Sequence, residues 1–368
     1  MAKEAGSGIE NGFQLPFEKP LLRLQRQIAE LESSQAPSGR DFSHEIRQFR
    51  TQYLSLLAKT YQNLSPWETV QVARHPARPL ACDYIQQIVK SFVELHGDRR
   101  FADDKAIRCG FGSVGGEKLA LIAQQKGRDT KEKIACNFGC AHPEGYRKAL
   151  RVMEMAQKFR LPVVCLIDTQ GAYPGVGSEE RGVAEAIARN MLEMSRLKTP
   201  IICVVIGEGG SGGALGVAVG DRIGMLEYAY YSVISPEGCA SILWRTGEKA
   251  PEAADALKLT AKHLKSLDVI DDIIPEPLGG AHRNPAEAAG NLERHIVRTI
   301  RELKRVPMDN LLKHRYDRWR RMGKVTTIAE AAAAAAAEAA NVAPAAKLTD
   351  NTPRSYSSTP AEPHNIQQ

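Results

Sequence analysis

Residues 200–214 read P-I-I-C-V-V-I-G-E-G-G-S-G-G-A, and few folds can hold such a stretch. Its first half, 201–206, is apolar and rich in β-branched residues, as in a strand buried on both faces of a parallel sheet. Its second half holds Gly207, Gly209, Gly210, Gly212 and Gly213, and small residues with helical promise follow from Ala214. A strand that runs through glycines into a helix leaves unpaired backbone N–H groups at the helix start. With no Cβ in the way, a ligand can come close to them. Such a place holds negative charge well, fixed or developing.

Three motifs overlap here. Gly207, Gly209 and Gly212 spell G-x-G-x-x-G after a strand, the dinucleotide fingerprint. Gly209, Ser211 and Gly213 spell G-x-S-x-G, the nucleophile elbow of hydrolases. The whole run also fits an oxyanion hole with no nucleophile. The plainest alternative is a tight strand-to-helix turn that binds nothing. A hydrolase needs Ser211 paired with a base such as His263, His282 or His295. A dehydrogenase needs an acidic residue about twenty positions on, where Glu227 is a weak partner.

Composition narrows the classes. The 368 residues can form one large domain or two modest ones. At 43% hydrophobic and 25% charged, the chain reads as a soluble globular protein with room for a sizeable core. No apolar run is long enough to span a membrane. The start, M-A-K-E-A-G-S-G-I-E, lacks the apolar core of a secretory signal. Seven cysteines, odd in number and scattered through apolar strands as at Cys165 and Cys203, suit buried thiols in a reducing cytoplasm. Cys136 and Cys140 are the only close pair, and a structural zinc needs four ligands, so no metal site is expected in this chain. The net charge of +6 is uneven, with ten Lys and Arg residues between 298 and 324. Only Tyr316 and Trp319 interleave with them, so the segment reads as a solvated helix face rather than a dedicated nucleic-acid surface.

Taken in order, residues 1–20 are polar and loop-like. Apolar spacing predicts a helix from Leu21 that Pro37 and Gly39 break within 33–40, and a second helix over 42–64. Together 21–65 read as a helical arm for packing or partner contact. A large α/β domain is expected over 66–323. It opens with a helix led by Pro66, then a helix over 82–95 and two strands, 106–114 and 118–124, joined at Gly115-Gly116 as a hairpin. The run 125–133 is a polar loop with four cations; such loops beside a cleft often meet phosphates, though most are simply solvated. A helix over 143–160, a strand over 161–167 and the loop D-T-Q-G-A-Y-P-G at 168–175 follow. A helix over 178–197 then leads to strand 201–206 and the glycine run.

Two successive strands therefore end in glycine-bearing loops that feed helices. In parallel sheets ligands sit beyond the carboxyl ends of the strands. Two such loops side by side can each aim one N–H at a single oxygen, the pair that an oxyanion hole requires. Later segments read as strands at 222–226, 230–234 and 269–274, and as helices at 236–244, 252–257, 261–267, 285–305 and 308–322. From 324 the composition collapses to Ala, Pro, Ser and Thr, which predicts a disordered tail over 324–368.

Seven stretches carry a resemblance to a known family. They are A-R-H-P at 73–76, G-D-R at 97–99, A-D-D-K-A-I at 102–107 and P-E-G-Y-R-K-A-L at 143–150. I-G-E-G-G-S-G-G-A at 206–214, S-V-I-S-P-E-G-C-A-S-I-L-W at 232–244 and I-I-P-E-P-L-G-G-A-H-R-N-P at 273–285 complete the set. Over about residues 15–322 the chain resembles the alpha subunit of bacterial acetyl-CoA carboxylase carboxyltransferase. The resemblance implies an α/β, crotonase-like (ClpP/crotonase) fold of repeated ββα units. It implies carboxyl transfer from carboxybiotin, on the biotin carboxyl carrier protein, to acetyl-CoA, giving malonyl-CoA for fatty acid biosynthesis. The site is then shared with a homologous beta subunit, in an alpha2beta2 heterotetramer that works with biotin carboxylase. That beta subunit carries the zinc ribbon and most acetyl-CoA contacts.

By the same analogy, Gly212 and Gly213 turn their N–H groups to the biotin ureido oxygen. The 168–175 loop supplies the opposing donor at Ala172 or Tyr173, and Gly171, Gly209, Gly210 and Ser211 complete the biotin side. The chain departs from the family's pattern at Gln170, where proline is expected, and at Cys140-Ala141, where methionine-proline is expected. The first departure adds a donor and loosens the loop; the second lies before a helix and is expected to matter less. Each step of such a transfer builds charge on a carbonyl oxygen, so backbone donors are the expected device. A non-enzymatic scaffold whose basic helices recruit partners is the third reading.

Overall fold

Long β-branched runs need pairing on two edges and cover on two faces, and a central sheet gives this chain both. The computed structural model describes residues 13–38, 41–323, 327–330 and 332–333. Among them eight strands form one sheet: β1 (Lys90–Glu94), β2 (Ile107–Val114), β3 (Glu117–Gln124), β4 (Val163–Thr169), β5 (Ile201–Gly210), β6 (Arg222–Leu226), β7 (Tyr230–Ser232) and β8 (Asp272–Ile274). The order is β1-β2-β3-β4-β5-β6-β8, with β7 paired to β5. The β1–β2 and β2–β3 junctions are antiparallel, and the others are parallel. Every residue of β4 and β5 is buried, so both faces of the sheet's centre are covered, as the apolar runs require.

The hairpin between β2 and β3 turns at Gly115 and Gly116 with φ of 53° and 83°. Positive φ at both central residues is what a tight two-residue hairpin demands. β5 changes partner along its length. Ile202–Val205 face β6, whereas Glu208, Gly209 and Gly210 face β7.

The helices surround this sheet. α1 (Lys19–Ser38) and α2 (Ser43–Gln62) form the arm. α1 continues past Ser33, where a break was expected, and ends at Ser38, directly after Pro37. Leu15, Leu21, Leu57, Tyr61 and Val72 bury one another at the arm's base. The Tyr61 hydroxyl and Arg283 both donate to the buried Glu18 carboxylate, at 2.8 and 2.5 Å, fixing the arm to the body.

α3 (Pro66–Ala73) starts with a full capping box between Ser65 and Glu68. α4 (Ala81–Ile88) stops short of the predicted 95, and residues 90–94 are strand instead. The edge of β2 offers unmet backbone groups, and this segment meets them; Leu95 N–H donates to Cys109 O at 2.8 Å just beyond it. The run 125–133 is not all loop, because Asp129 caps α5 (Thr130–Ala135).

α6 (Pro143–Lys158) packs on β2 and β3. The single helix expected over 178–197 is two, α7 (Val176–Glu180) and α8 (Val183–Arg196), divided at Gly182 with φ of 77°. α9 (Ser211–Leu215), α10 (Pro236–Trp244), α11 (Ala250–Ala256) and α12 (Ala261–Ser266) are short, and α13 (Pro285–Leu303) and α14 (Met308–Arg321) close the body. This compact unit ends at Met322. The expected disordered tail lies mostly outside the described residues, of which 328–330 and 332–333 are helical.

Candidate active site

β3, β4 and β5 run parallel, so their carboxyl ends share one side of the sheet. The loops that follow β4 and β5 meet there, backbone to backbone. Thr169 and Gly209 are neighbours across the two strands. A Cβ added at Gly210 would stand 2.1 Å from the Gln170 carbonyl oxygen, and one added at Gly213 would stand 2.3 Å from the Gly171 carbonyl carbon and 2.4 Å from the Ala172 nitrogen. Real Cβ atoms do not approach so closely, so glycine is what lets the loops touch.

The strand does not stop at Ile206 but carries the run on to Gly210. α9 then begins with Ser211 at φ of 54° and no side-chain cap from Gly210. The N–H groups of Gly212 and Gly213 lie in its first turn, where no intrahelical acceptor exists. The Ala172 N–H, across the contact, makes no hydrogen bond among the described residues. Tyr173, the other candidate donor, has its N–H bonded to Ala141 O at 3.0 Å. Ala172 is therefore the free donor of the two. Gly171 N–H is taken by Thr169 Oγ1 at 3.1 Å. Gly209 lies under the Tyr231 ring, and Ser211 is half-buried beside Gly212. The Cys140-Ala141 departure touches the site after all, through that Ala141 carbonyl.

A charged lattice underlies the loops. Lys126 Nζ bridges Asp168 Oδ1 at 2.7 Å and Glu208 Oε1 at 2.5 Å. Asp168 Oδ1 accepts the Glu208 N–H at 2.9 Å, tying the two strand ends together. Arg74 donates to Glu208, Glu237 and the Tyr230 hydroxyl, and that hydroxyl donates to Glu208 at 2.5 Å. Beside it, Arg78 makes a bidentate pair with Glu276 and donates to Ile206 O. Burial alone would raise the Glu208 carboxyl, but the charges of Lys126 and Arg74, with hydrogen bonds from Lys126 and Tyr230, outweigh it and hold the group at about 2. Burial lowers Lys126, and Asp168 and Glu208 more than reverse that.

None of Arg74, Lys126 or Glu208 was singled out from the sequence as a site residue. The signal was present in Glu208, the one charged residue in an otherwise buried apolar and glycine run, which obliges cations to converge on it. The basic run 125–133, read as meeting phosphate or simply solvated, spends two of its cations internally, Lys126 here and Arg128 on Asp83.

Glu208 sets a pH dependence. Its carboxyl is depressed from an ordinary 4.5, so its contribution to stability is complete above that pH and is lost as pH falls toward 2. Glu208→Gln should be less stable at neutral pH and should decline less steeply across that acid window. Urea unfolding at a series of pH values checks this; parallel curves for the two proteins would refute it.

The site disfavours two of the motif readings. Gly207 and Gly209 are buried strand residues, against the Asp168 carboxylate and the Tyr231 ring, so they do not form a turn that could receive a pyrophosphate. Glu227 Oε2 instead accepts the Glu276 N–H, so the dehydrogenase reading loses both its parts. Ser211 has no histidine partner among the described residues. His263 bonds Thr260, His282 stacks on His75 at 4.0 Å, and His295 lies against Gly224. Cys136 and Cys140 are free thiols raised by burial, and among the described residues no group of three or more His, Cys, Asp or Glu side chains is placed so that it could hold a metal ion. The basic segment is only partly a solvated face, since Arg315 is buried and Arg318 bonds Val269 O.

Two cavities lie by the ends of β4 and β5. One of about 310 Å³ has apolar walls, Leu215, Tyr231, Leu264 and Trp319 among them, and opens on Ser211 and Gly212. The other, about 290 Å³, is lined by Arg74, Lys126, Arg128, Asp168, Gln170 and Glu208.

Residues 14–323 match the family described as acetyl co-enzyme A carboxylase carboxyltransferase-like. The acetyl-coenzyme A carboxylase carboxyl transferase subunit alpha of Rhodopirellula baltica is 53% identical over 319 residues, covering 87% of this chain and 98% of that protein. The subunit of the same name from Actinobacillus succinogenes is 55% identical over 308 residues, covering 83% and 96%. Among solved structures, the geranyl-CoA carboxylase beta subunit of P. aeruginosa aligns at 17% identity and a TM-score of 0.49, over 67% of this chain and 46% of that one. With more than half of the aligned residues identical to those of these alpha subunits along nearly their whole length, the chain belongs to the family of acetyl-CoA carboxylase carboxyltransferase alpha subunits.

Proposed function

We propose that this chain supplies the backbone donors for carboxyl transfer from carboxybiotin, on a biotin carboxyl carrier protein, to acetyl-CoA. The observation that carries this is the contact at Gly213, where the free N–H groups of Gly212 and Gly213 stand against that of Ala172. The cradle fits such a group on two counts. Its donors are unpaired, and it adjoins an apolar cavity of about 310 Å³, room for a small bicyclic ring. The residues that would hold the ureido oxygen are Gly212 and Gly213, with Ala172 opposing. When bound, carboxybiotin supplies an activated carboxyl group.

The chain's own part is electrostatic. Fixed N–H dipoles stabilise charge as it develops on a carbonyl oxygen, and they need no reorganisation at that moment. Lys126, Asp168 and Glu208 hold the strand ends from which both loops spring. A general acid, base or nucleophile from this chain has no part in the scheme.

Acetyl-CoA contacts and the zinc ribbon are assigned to a beta subunit, and the working assembly to a cytoplasmic alpha2beta2 heterotetramer acting with biotin carboxylase. Co-purification with the beta subunit, followed by a malonyl-CoA-dependent biotin carboxylation assay, tests the proposal. Activity is expected only when both chains are present. Activity of this chain alone would overturn the shared site, and a stable complex without activity would overturn the assignment of the donors.

A further inference from the structure

We propose that Gln124 is the positioning residue that sets the two donor loops against each other. The inference rests on the donor assignment above and concerns a side chain outside it. Gln124 is the last residue of β3 and is fully buried. Its Oε1 accepts the Asp168 N–H at 3.2 Å, at the root of the loop that carries Ala172. Its Nε2 donates to Gly213 O at 2.8 Å, inside the turn that carries the opposing donors. One planar amide thus joins both donor segments. Acceptor and donor are used at opposite ends, and neither bond is local in sequence.

The donors cannot hold this orientation unaided. α9 has five residues, starts without a side-chain cap and includes Gly212 and Gly213. Glycines carry the largest conformational freedom, and a helix this short has little cooperativity of its own. The contact with Gly171 and Ala172 limits how near the two loops come, but a steric limit alone does not fix how a peptide plane is rotated. A hydrogen bond to the Gly213 carbonyl does. Tyr146 adds a second, longer bond to the same oxygen at 3.3 Å, so that carbonyl is held from two directions. Gln124 alone among these partners also grips the other loop.

Two variants test this in the complex with the beta subunit, with wild type measured alongside. Gln124→Met keeps the volume and removes both bonds. It should lower kcat by about ten- to a hundredfold, with the KM for malonyl-CoA in the biotin carboxylation assay unchanged, since misplaced donors act on the transition state. Gln124→Glu is close to isosteric. Its neutral acid can still donate to Gly213 O, and burial beside Asp168 favours that form. Its kcat should therefore recover toward wild type as pH is lowered, a response that loss of packing would not give. If Gln124→Met does not assemble, the Gln124→Glu profile decides. Wild-type kcat in Gln124→Met, or a flat pH ratio between Gln124→Glu and wild type, overturns the inference. An inactive wild-type complex would instead strike at the donor assignment itself.

Discussion

Gly213→Val should abolish carboxyl transfer while leaving a folded subunit that still binds its partner. The new Cβ would lie 2.3 and 2.4 Å from the Gly171 carbonyl carbon and the Ala172 nitrogen, and 2.7 Å from the Gly171 oxygen. These are main-chain atoms, so no rotamer change relieves the clash, and the loops must separate. Separation moves Ala172 away from Gly212 and Gly213, so the opposing donor is lost. Loss of one such donor costs about 10²–10³ in rate. The stability cost is that of overpacking, about 1–3 kcal/mol, which a domain of ordinary stability survives. Gly213→Ala carries the same Cβ against the same main-chain atoms and should also lose the opposing donor, with a smaller cost in stability. Turnover in the reverse assay, with thermal unfolding as the control, measures both effects. Near-wild-type turnover in Gly213→Val would sink the donor assignment.

The largest stability effect is expected far from the chemistry, at Arg315. It lies in α14 and is buried to 1% exposure. Its guanidinium grips Asp221 through Nε and NH2 at 2.8 and 2.7 Å. It also donates to the carbonyl of Met194 in the last turn of α8 and to those of Leu197 and Thr199, between α8 and β5. The Asp221 carboxylate in turn accepts the Ile201 N–H at 2.7 Å, where β5 begins. Burial raises the Asp221 carboxyl even against the pull of Arg315 and that N–H. Arg315→Met should therefore cost about 3–5 kcal/mol, because a buried charge and three carbonyls lose their partner. Adding Asp221→Asn should return part of that. Denaturant unfolding of the single and double variants provides the numbers, and a loss under about 1 kcal/mol would contradict this account.

Local chemistry announced part of this architecture. β5 and its glycines were legible because a buried parallel strand and a glycine-rich turn leave unmistakable residue types. The Gly115-Gly116 turn was legible because positive φ at two adjacent residues selects glycine. The elements that were misread depend on partners distant in sequence. Residues 90–94 read as helix, and became strand because the edge of β2 had backbone groups to satisfy. Arg315 read as one more solvated cation on a basic helix, and its destination, Asp221, lies 94 residues away. Lys126 read as part of a loop that often meets phosphate, and it turns inward to two carboxylates instead. In the site, the sequence named the glycines but not what orients them. Gln124 has no local signature, since an amide at the end of a strand is unremarkable until both of its bonds are seen.

The contact between the two donor loops is built from main chain on both sides. Every residue offers the same N–H, so such a surface cannot be retuned by exchanging side chains. It has no hydroxyl to add, no charge to reverse and no methylene to trim. Selection acting on this half of the site can only preserve its spacing or lose it. Any discrimination among substrates of different length or shape must be written elsewhere, in side chains that line the approach and not in the groups that bear the charge.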